Sequence, residues 1–157
     1  MATCLLLVAM VLPAVAPQTA AAAGTIYVDV DAIGDNDGST WADAYVDLQD
    51  ALSAAVSGDE IWVAAGTHYP TSGTDRTAAF ELVSGAAVYG GFDGTETTRD
   101  ERDWAANVTV LSGDIGTVGS NADNSYTVVD ASDTAASAVL DGFVVTGRGH
   151  SKKEAEQ

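Results

Sequence analysis

The sequence predicts an all-β solenoid of stacked strands, closed at its N-terminal end by one capping α-helix. Three observations carry that expectation. Short apolar runs recur through most of the chain, separated by Gly, Asp, Asn, Ser and Thr. Only residues 41–57 have the three-and-four spacing of an amphipathic helix. A strand then follows that helix after a tight turn, in the stretch Gly58-Asp59-Glu60-Ile61-Trp62-Val63-Ala64-Ala65-Gly66-Thr67-His68-Tyr69.

The chain opens with residues 1–23, which contain no charged side chain. The run Leu5-Leu6-Leu7-Val8-Ala9-Met10-Val11-Leu12 is too short to span a bilayer, and the alanines at 20–23 are of the small kind that signal peptidase accepts. The segment reads as a secretory signal peptide cut near Ala22 or Ala23, so the protein is expected outside the cell or on its surface. Cys4 is the sole cysteine, so the mature chain has neither a disulfide nor a thiol. No later segment is apolar enough to cross a membrane.

Ile26-Tyr27-Val28-Asp29-Val30 alternates apolar and polar side chains, the period of a strand with one buried face. The turn-rich Gly34-Asp35-Asn36-Asp37-Gly38-Ser39 follows. From Trp41 the period changes, with Trp41, Tyr45, Leu48, Leu52 and Ala55 or Val56 on one helical face. Thr40 is the expected N-cap, Asp43 and Asp47 suit the positive end of the helix dipole, and Gly58 supplies a left-handed stop.

Beyond the helix, apolar runs fall at 61–65, 80–83, 86–89, 108–111, 126–129 and 139–145. Val63 to Val88 is 25 positions, Val88 to Val110 is 22, Val110 to Val128 is 18 and Val128 to Val144 is 16. That spacing is near the lower end of solenoid periods. A β-sandwich also gives many short strands; the interrupted spacing and the single early helix favour the solenoid. The first turn of such a stack leaves an apolar cross-section and unpaired edge groups, and the helix is a fitting cover.

The succession Tyr27-Val28-Asp29, Asn36-Asp37-Gly38-Ser39-Thr40-Trp41, Leu48-Gln49-Asp50-Ala51-Leu52 and the glycine-framed strand at Ile61 resembles the N-terminal part of bacterial right-handed parallel β-helix proteins. Tyr89-Gly90-Gly91-Phe92-Asp93-Gly94-Thr95-Glu96, Arg102-Asp103, Leu111-Ser112-Gly113-Asp114-Ile115, Asp123-Asn124-Ser125-Tyr126 and Leu140-Asp141-Gly142-Phe143 extend the likeness. They are similar to motifs of secreted proteins of the pectin-lyase-like superfamily, many of them polymorphic-outer-membrane-protein-like. The resemblance implies a right-handed parallel β-helix of about three to four coils over residues 24–147, with its capping helix at 41–57. Relatives usually continue for more coils, whereas residues 148–157 form a polar tail with both lysines, so a truncated or frameshifted product, or a short paralogue, is expected. Its last coil would then lack a cover and invite self-association.

A formal net charge of −17, from 23 acidic residues against 6 Lys plus Arg, excludes phosphate-driven nucleic acid binding and favours solubility. Asp29, Asp31, Asp35, Asn36, Asp37 and Gly38 bring oxygens close together, as a calcium loop does, but without the EF-hand spacing or its terminal Glu; turn chemistry explains them more simply. No other metal or cofactor site is assigned. Arg99 and Arg102 are expected to pair locally with Asp100, Glu101 and Asp103. His68 is expected at a surface corner, and His150 belongs to the tail. Gly90 and Gly91 are expected to let stacked coils approach, with Tyr89 and Phe92 packed in the core. No catalytic residue is assigned, because no compact acid and arginine constellation is legible on one strand ladder. The resulting expectation is a secreted or cell-surface scaffold or adhesion module without catalytic activity, presenting loops 71–76 and 114–124 to polysaccharide or cell-surface components. The alternative is a polysaccharide lyase or glycoside hydrolase of the pectin-lyase-like type.

Overall fold

A computed structural model describes residues 23–134 and 137–147. Nearly all of the expected signal peptide and the whole polar tail lie outside the described residues. The fold is mostly strand, all of it paired in parallel, with little helix. Strands β1 (Thr25–Val28), β2 (Glu60–Ala64), β5 (Ala87–Phe92) and β8 (Val139–Asp141) form one sheet in that order. Strands β3 (Gly66–His68), β6 (Thr109–Ser112) and β9 (Phe143–Thr146) form a second, and β4 (Phe80–Glu81) and β7 (Val129–Asp130) a third. From β2 onward the chain therefore visits the first, second and third sheets in a fixed rotation, and every return places a strand beside its predecessor.

Register turns that rotation into columns of side chains. In the first sheet Ile26 lies beside Ile61, Ile61 beside Val88, and Val88 beside Leu140. Opposite it, Phe80 lies beside Val129. Ile61, Val88 and Phe80 are buried, and Ile26, Leu140 and Val129 pack against them. Outward-facing Tyr27, Trp62, Tyr89 and Asp141 follow these residues in register, so a one-residue slip would turn the aliphatic column outward. The register is thus set by burial.

The helix is shorter than its apolar period suggested. It spans only Leu48–Ala54 (α1), and its N-cap is Asp47, whose carboxylate accepts from the Gln49 N–H. Thr40 caps a separate turn instead, its Oγ1 accepting from the Asp43 N–H at 3.1 Å. Tyr45 is claimed by the sheet: its N–H donates to the Tyr27 carbonyl, and its own carbonyl accepts from the Asp29 N–H. Those long-range bonds outcompete a local helical turn at that residue. Gly58 does adopt a left-handed conformation, φ +102°, but in the turn before β2 and after the helix has ended at Ala55. Leu48, Ala51 and Leu52 bury the helix face against the core, so cover is supplied by α1 together with residues 38–45.

The run at 139–145 is also two strands. Gly142 breaks it with φ +84°, turning the chain from the first sheet into the second. That corner touches β5 of the preceding round: a Cβ on Gly142 would meet the Gly90 carbonyl at 2.6 Å, and a Cβ on Gly90 the Gly142 carbonyl at 2.7 Å. The expected role of Gly90 in close approach is met. Gly142→Ala should lower stability by more than about 1 kcal/mol, since it meets both backbone and an unfavourable φ. Gly73→Ala, whose Cβ has nothing nearer than Thr71 Oγ1 at 3.5 Å, should stay within about 0.5 kcal/mol. Denaturant midpoints of the two variants check the difference.

Candidate functional site

The outward face of the first sheet gathers the chemistry that the sequence scatters. Tyr27 lies beside Trp62, Trp62 beside Tyr89 and Tyr89 beside Asp141. Glu60, two residues before Trp62, emerges on the same face. Trp62 stacks flat on Phe92, with centroids 4.8 Å apart and planes 9° apart, and meets Tyr27 edge-on at 5.8 Å. Trp41 closes the group against Tyr27 and Phe92, its indole N–H held by the Glu96 carbonyl at 2.9 Å. Burial of this aromatic layer explains why β2 is shielded on both sides.

Beside the aromatics stands an acid and arginine cluster that sequence reasoning did not find. Both cations come from one short segment, the 3-10 turn Arg99–Glu101 and the residue after it. Arg99 donates through Nη1 to Glu60 Oε1 at 2.6 Å and to the Tyr89 hydroxyl at 3.1 Å. Arg102 pairs with Asp141 and donates to the Gly90 carbonyl at 3.2 Å. The two guanidinium carbons lie 4.7 and 5.0 Å from the Tyr89 ring centroid, and Arg102 also faces Trp104 at 5.5 Å. The arginines therefore pair across strands, with β2 and β8, and not with their immediate neighbours as the local charges suggested. Tyr89 is correspondingly an outer-face residue beneath two cations, whereas Phe92 is fully buried.

The local acids have other work. Glu101 accepts from the Thr97 and Thr98 N–H groups, and the bonds from Thr98 first and then Thr97 hold its carboxyl below the usual range. Asp103 accepts from the Ala105 and Ala106 N–H groups. That capping orients the turn so that Arg99 and Arg102 project over the sheet. Both oxygens of Glu60 are engaged, Oε1 by Arg99 and Oε2 by the Trp62 indole N–H at 2.9 Å. As chemistry, the cluster is a set of charge-assisted clamps between successive strands; its donors are matched to its acceptors.

Two further places complete the candidates. His68 is buried, 3% exposed, in β3, so it is not the surface residue expected from its position after Gly66-Thr67. It lies beside Leu111 of β6, its Nε2 is 3.5 Å from the Ala64 carbonyl, and its Nδ1 has no partner. Burial pushes its pKa below the ordinary imidazole value, while the Ala64 carbonyl and the Asp47 and Asp29 carboxylates oppose that shift. Next to it is a groove of about 180 Å³ lined by Val30, Val46, Asp47, Tyr69 and Ser72 among others. The loop at 114–124 is tied to itself: Asp114 accepts from the Gly119 N–H, Asp123 from the Thr117 N–H, and buried Asn124, its amide nitrogen turned toward them, donates to Asp114 Oδ1 and the Ser120 carbonyl.

At the candidate calcium loop the oxygens also face the chain. Asp29 accepts from the Asp31 N–H, Asp37 from the Ser39 N–H and Asn36 from the Val46 N–H, all at 2.8–2.9 Å. Asn36 and Gly38 take left-handed conformations, φ +55° and +73°. Among the described residues no group of three or more His, Cys, Asp and Glu side chains is placed to hold a metal ion, and no helix is long and apolar enough to cross a membrane. The chain matches no family model, no curated protein and no solved structure.

The two arginines differ in exposure, 12% for the Arg102 side chain against 41% for Arg99. Arg99→Ala should therefore cost less than about 1 kcal/mol and lose even that in 1 M salt. Arg102→Ala should cost about 1–3 kcal/mol, because it strips the partner from the Gly90 carbonyl at a close-packed corner. Arg102→Lys should recover less than half, as one ammonium cannot stack on Tyr89 and reach both acceptors. Equilibrium unfolding at low and high salt measures all three.

Proposed function

We propose that this chain is a non-catalytic scaffold or adhesion module of the secreted, cell-surface type, built as the N-terminal part of a right-handed parallel β-helix like those of the pectin-lyase-like superfamily. The observation that carries this reading is the fixed rotation of strands through three parallel sheets, with in-register columns from one round to the next. A repeating stack of this kind is long-lived as a shape and presents its loops at regular heights. Loops 71–76 and 114–124 are the presented surfaces, with polysaccharide or other cell-surface material as the partner class. Their hydrogen bonds are spent within the loops and on each other, Arg76 Nε donating to the Asn124 carbonyl at 2.8 Å, which suits display better than turnover. Strands β7, β8 and β9, which have no further strand beside them among the described residues, give the same module a route to self-association.

The acid and arginine cluster on the first sheet favours a second reading, an enzyme acting on polysaccharide. An assay of reducing ends and unsaturated products on a polysaccharide panel, with and without calcium, separates the two. No turnover is the expected result. Turnover with or without calcium would sink the scaffold reading, and its loss in Arg102→Lys that is still folded would make the cluster a catalytic site. Export is tested separately: N-terminal sequencing of protein recovered from outside the producing cell should begin at Ala23 or Gly24, and retention of Met1 on cell-associated protein would refute secretion.

A further inference from the structure

Among the described residues, buried Asp59 and Glu96 have carboxylates that accept backbone N–H bonds, whereas buried His68 keeps a ring nitrogen with no partner. His68 sits on β3, an edge strand of its sheet, where local opening costs less than at a central strand. Its Nδ1 is shut off from solvent and has no donor facing it, and its Nε2 has only the Ala64 carbonyl at 3.5 Å. No ligand reaches Nδ1 in this arrangement; a proton does whenever the edge opens. A protonated ring would hold two N–H donors and a charge where one distant acceptor exists, a strongly disfavoured state. The groove beside it contains the alternative. The Asp47 carboxylate lines that groove and at the same time caps α1 by accepting from the Gln49 N–H at 2.9 Å.

We propose that His68 is an acid-sensitive latch: when it gains a proton, its imidazole leaves the core for the groove and pairs with the Asp47 carboxylate, taking the cap from α1. The charged groups around the ring favour that path. Asp47 at the head of α1 and Asp29 just after β1 both attract the imidazolium, Asp50 is the other titratable group of α1, and the Tyr69 hydroxyl lies along the same groove. Ile61–Ala64 and Thr109–Ser112, its neighbours on β2 and β6, carry no titratable side chain. The sign follows: the closed state keeps His68 neutral and the open state does not, so closure is complete above the ordinary histidine pKa and weakens as pH falls below it. The device links pH to the cover over the N-terminal end of the stack.

The test follows the intact chain from pH 7.5 to 5 by imidazole NMR and by amide hydrogen exchange, corrected for intrinsic exchange rates. The open fraction of the Leu48–Ala54 helix should rise by up to about tenfold per unit below pH 6.5, while Ile61 and Val88 stay protected. Asp47→Asn keeps an N-cap but removes the ion partner, and should cut the rise at pH 5 several-fold. His68→Asn should abolish it. An unchanged helix between pH 7.5 and 5, or a rise that survives in either variant, overturns the proposal. If His68→Asn does not fold at pH 7.5, Asp47→Asn and the direct titration of His68 in the unmodified chain decide the matter alone.

Discussion

The column Ile26, Ile61, Val88 and Leu140 is the constraint on which the rest of the structure depends. A parallel strand pair holds equivalent residues at one height, so whatever faces inward in one round must fit directly above what faced inward in the last. Aliphatic side chains of similar size satisfy that demand over any number of rounds. Fixing their register also fixes the height of the turn at Gly142, which follows Asp141, the partner of Tyr89, and so meets Gly90 within β5. Gly90 and Gly142 lie back to back for that reason, with no room for a side chain on either.

The same constraint decides how the outer face is dressed. A register that buries one face leaves the other bearing whatever lies between the column residues, here Trp62, Tyr89 and Asp141. Parallel sheets are rarely left bare on either side, and this one is covered by aromatics at one end and guanidinium groups at the other. Arg99 and Arg102 reach Glu60 and Asp141, which lie 39 residues away in sequence in both cases. Their pairing therefore ties rounds of the chain together. With so few cations in so acidic a chain, each of the three described arginines is also stacked on an aromatic ring, Arg76 on Tyr126 at 4.3 Å. Most remaining carboxylates face backbone N–H groups in their own turns, which disperses the negative charge over the loops.

Much of this architecture was legible because burial writes itself into sequence. Ile61–Ala64, Val88 and Leu111 stand in apolar runs between turn residues, and those runs mark strands wherever the partner is a strand above or below. Three things were hidden. Trp41 and Tyr45 fit a helical period, but the hydrogen bonds that remove Tyr45 from the helix come from Tyr27, beyond any local window. Strand β3 is only Gly66, Thr67 and His68, with a polar ring as its inward residue, so no hydrophobic signal announces it. The arginine clamps are invisible for a third reason: Asp100, Glu101 and Asp103 offer nearer partners, and only the capping of the 3-10 turn shows why those partners are already taken.

The two ends of the stack are physically unlike. At β1 the outer edge is closed, since the Tyr27 and Asp29 N–H groups donate to the Gly38 and Tyr45 carbonyls and α1 lies over the core. At β7, β8 and β9 the far edge has no strand partner among the described residues, and Val139, Val144 and Val145 are each about half exposed or somewhat less. Strand addition is therefore blocked beside β1, whereas β7, β8 and β9 offer a free edge among the described residues. An edge of that kind adds either a later stretch of the same chain or a strand from another molecule, and the column demands the same of both, an aliphatic residue at the height of Leu140.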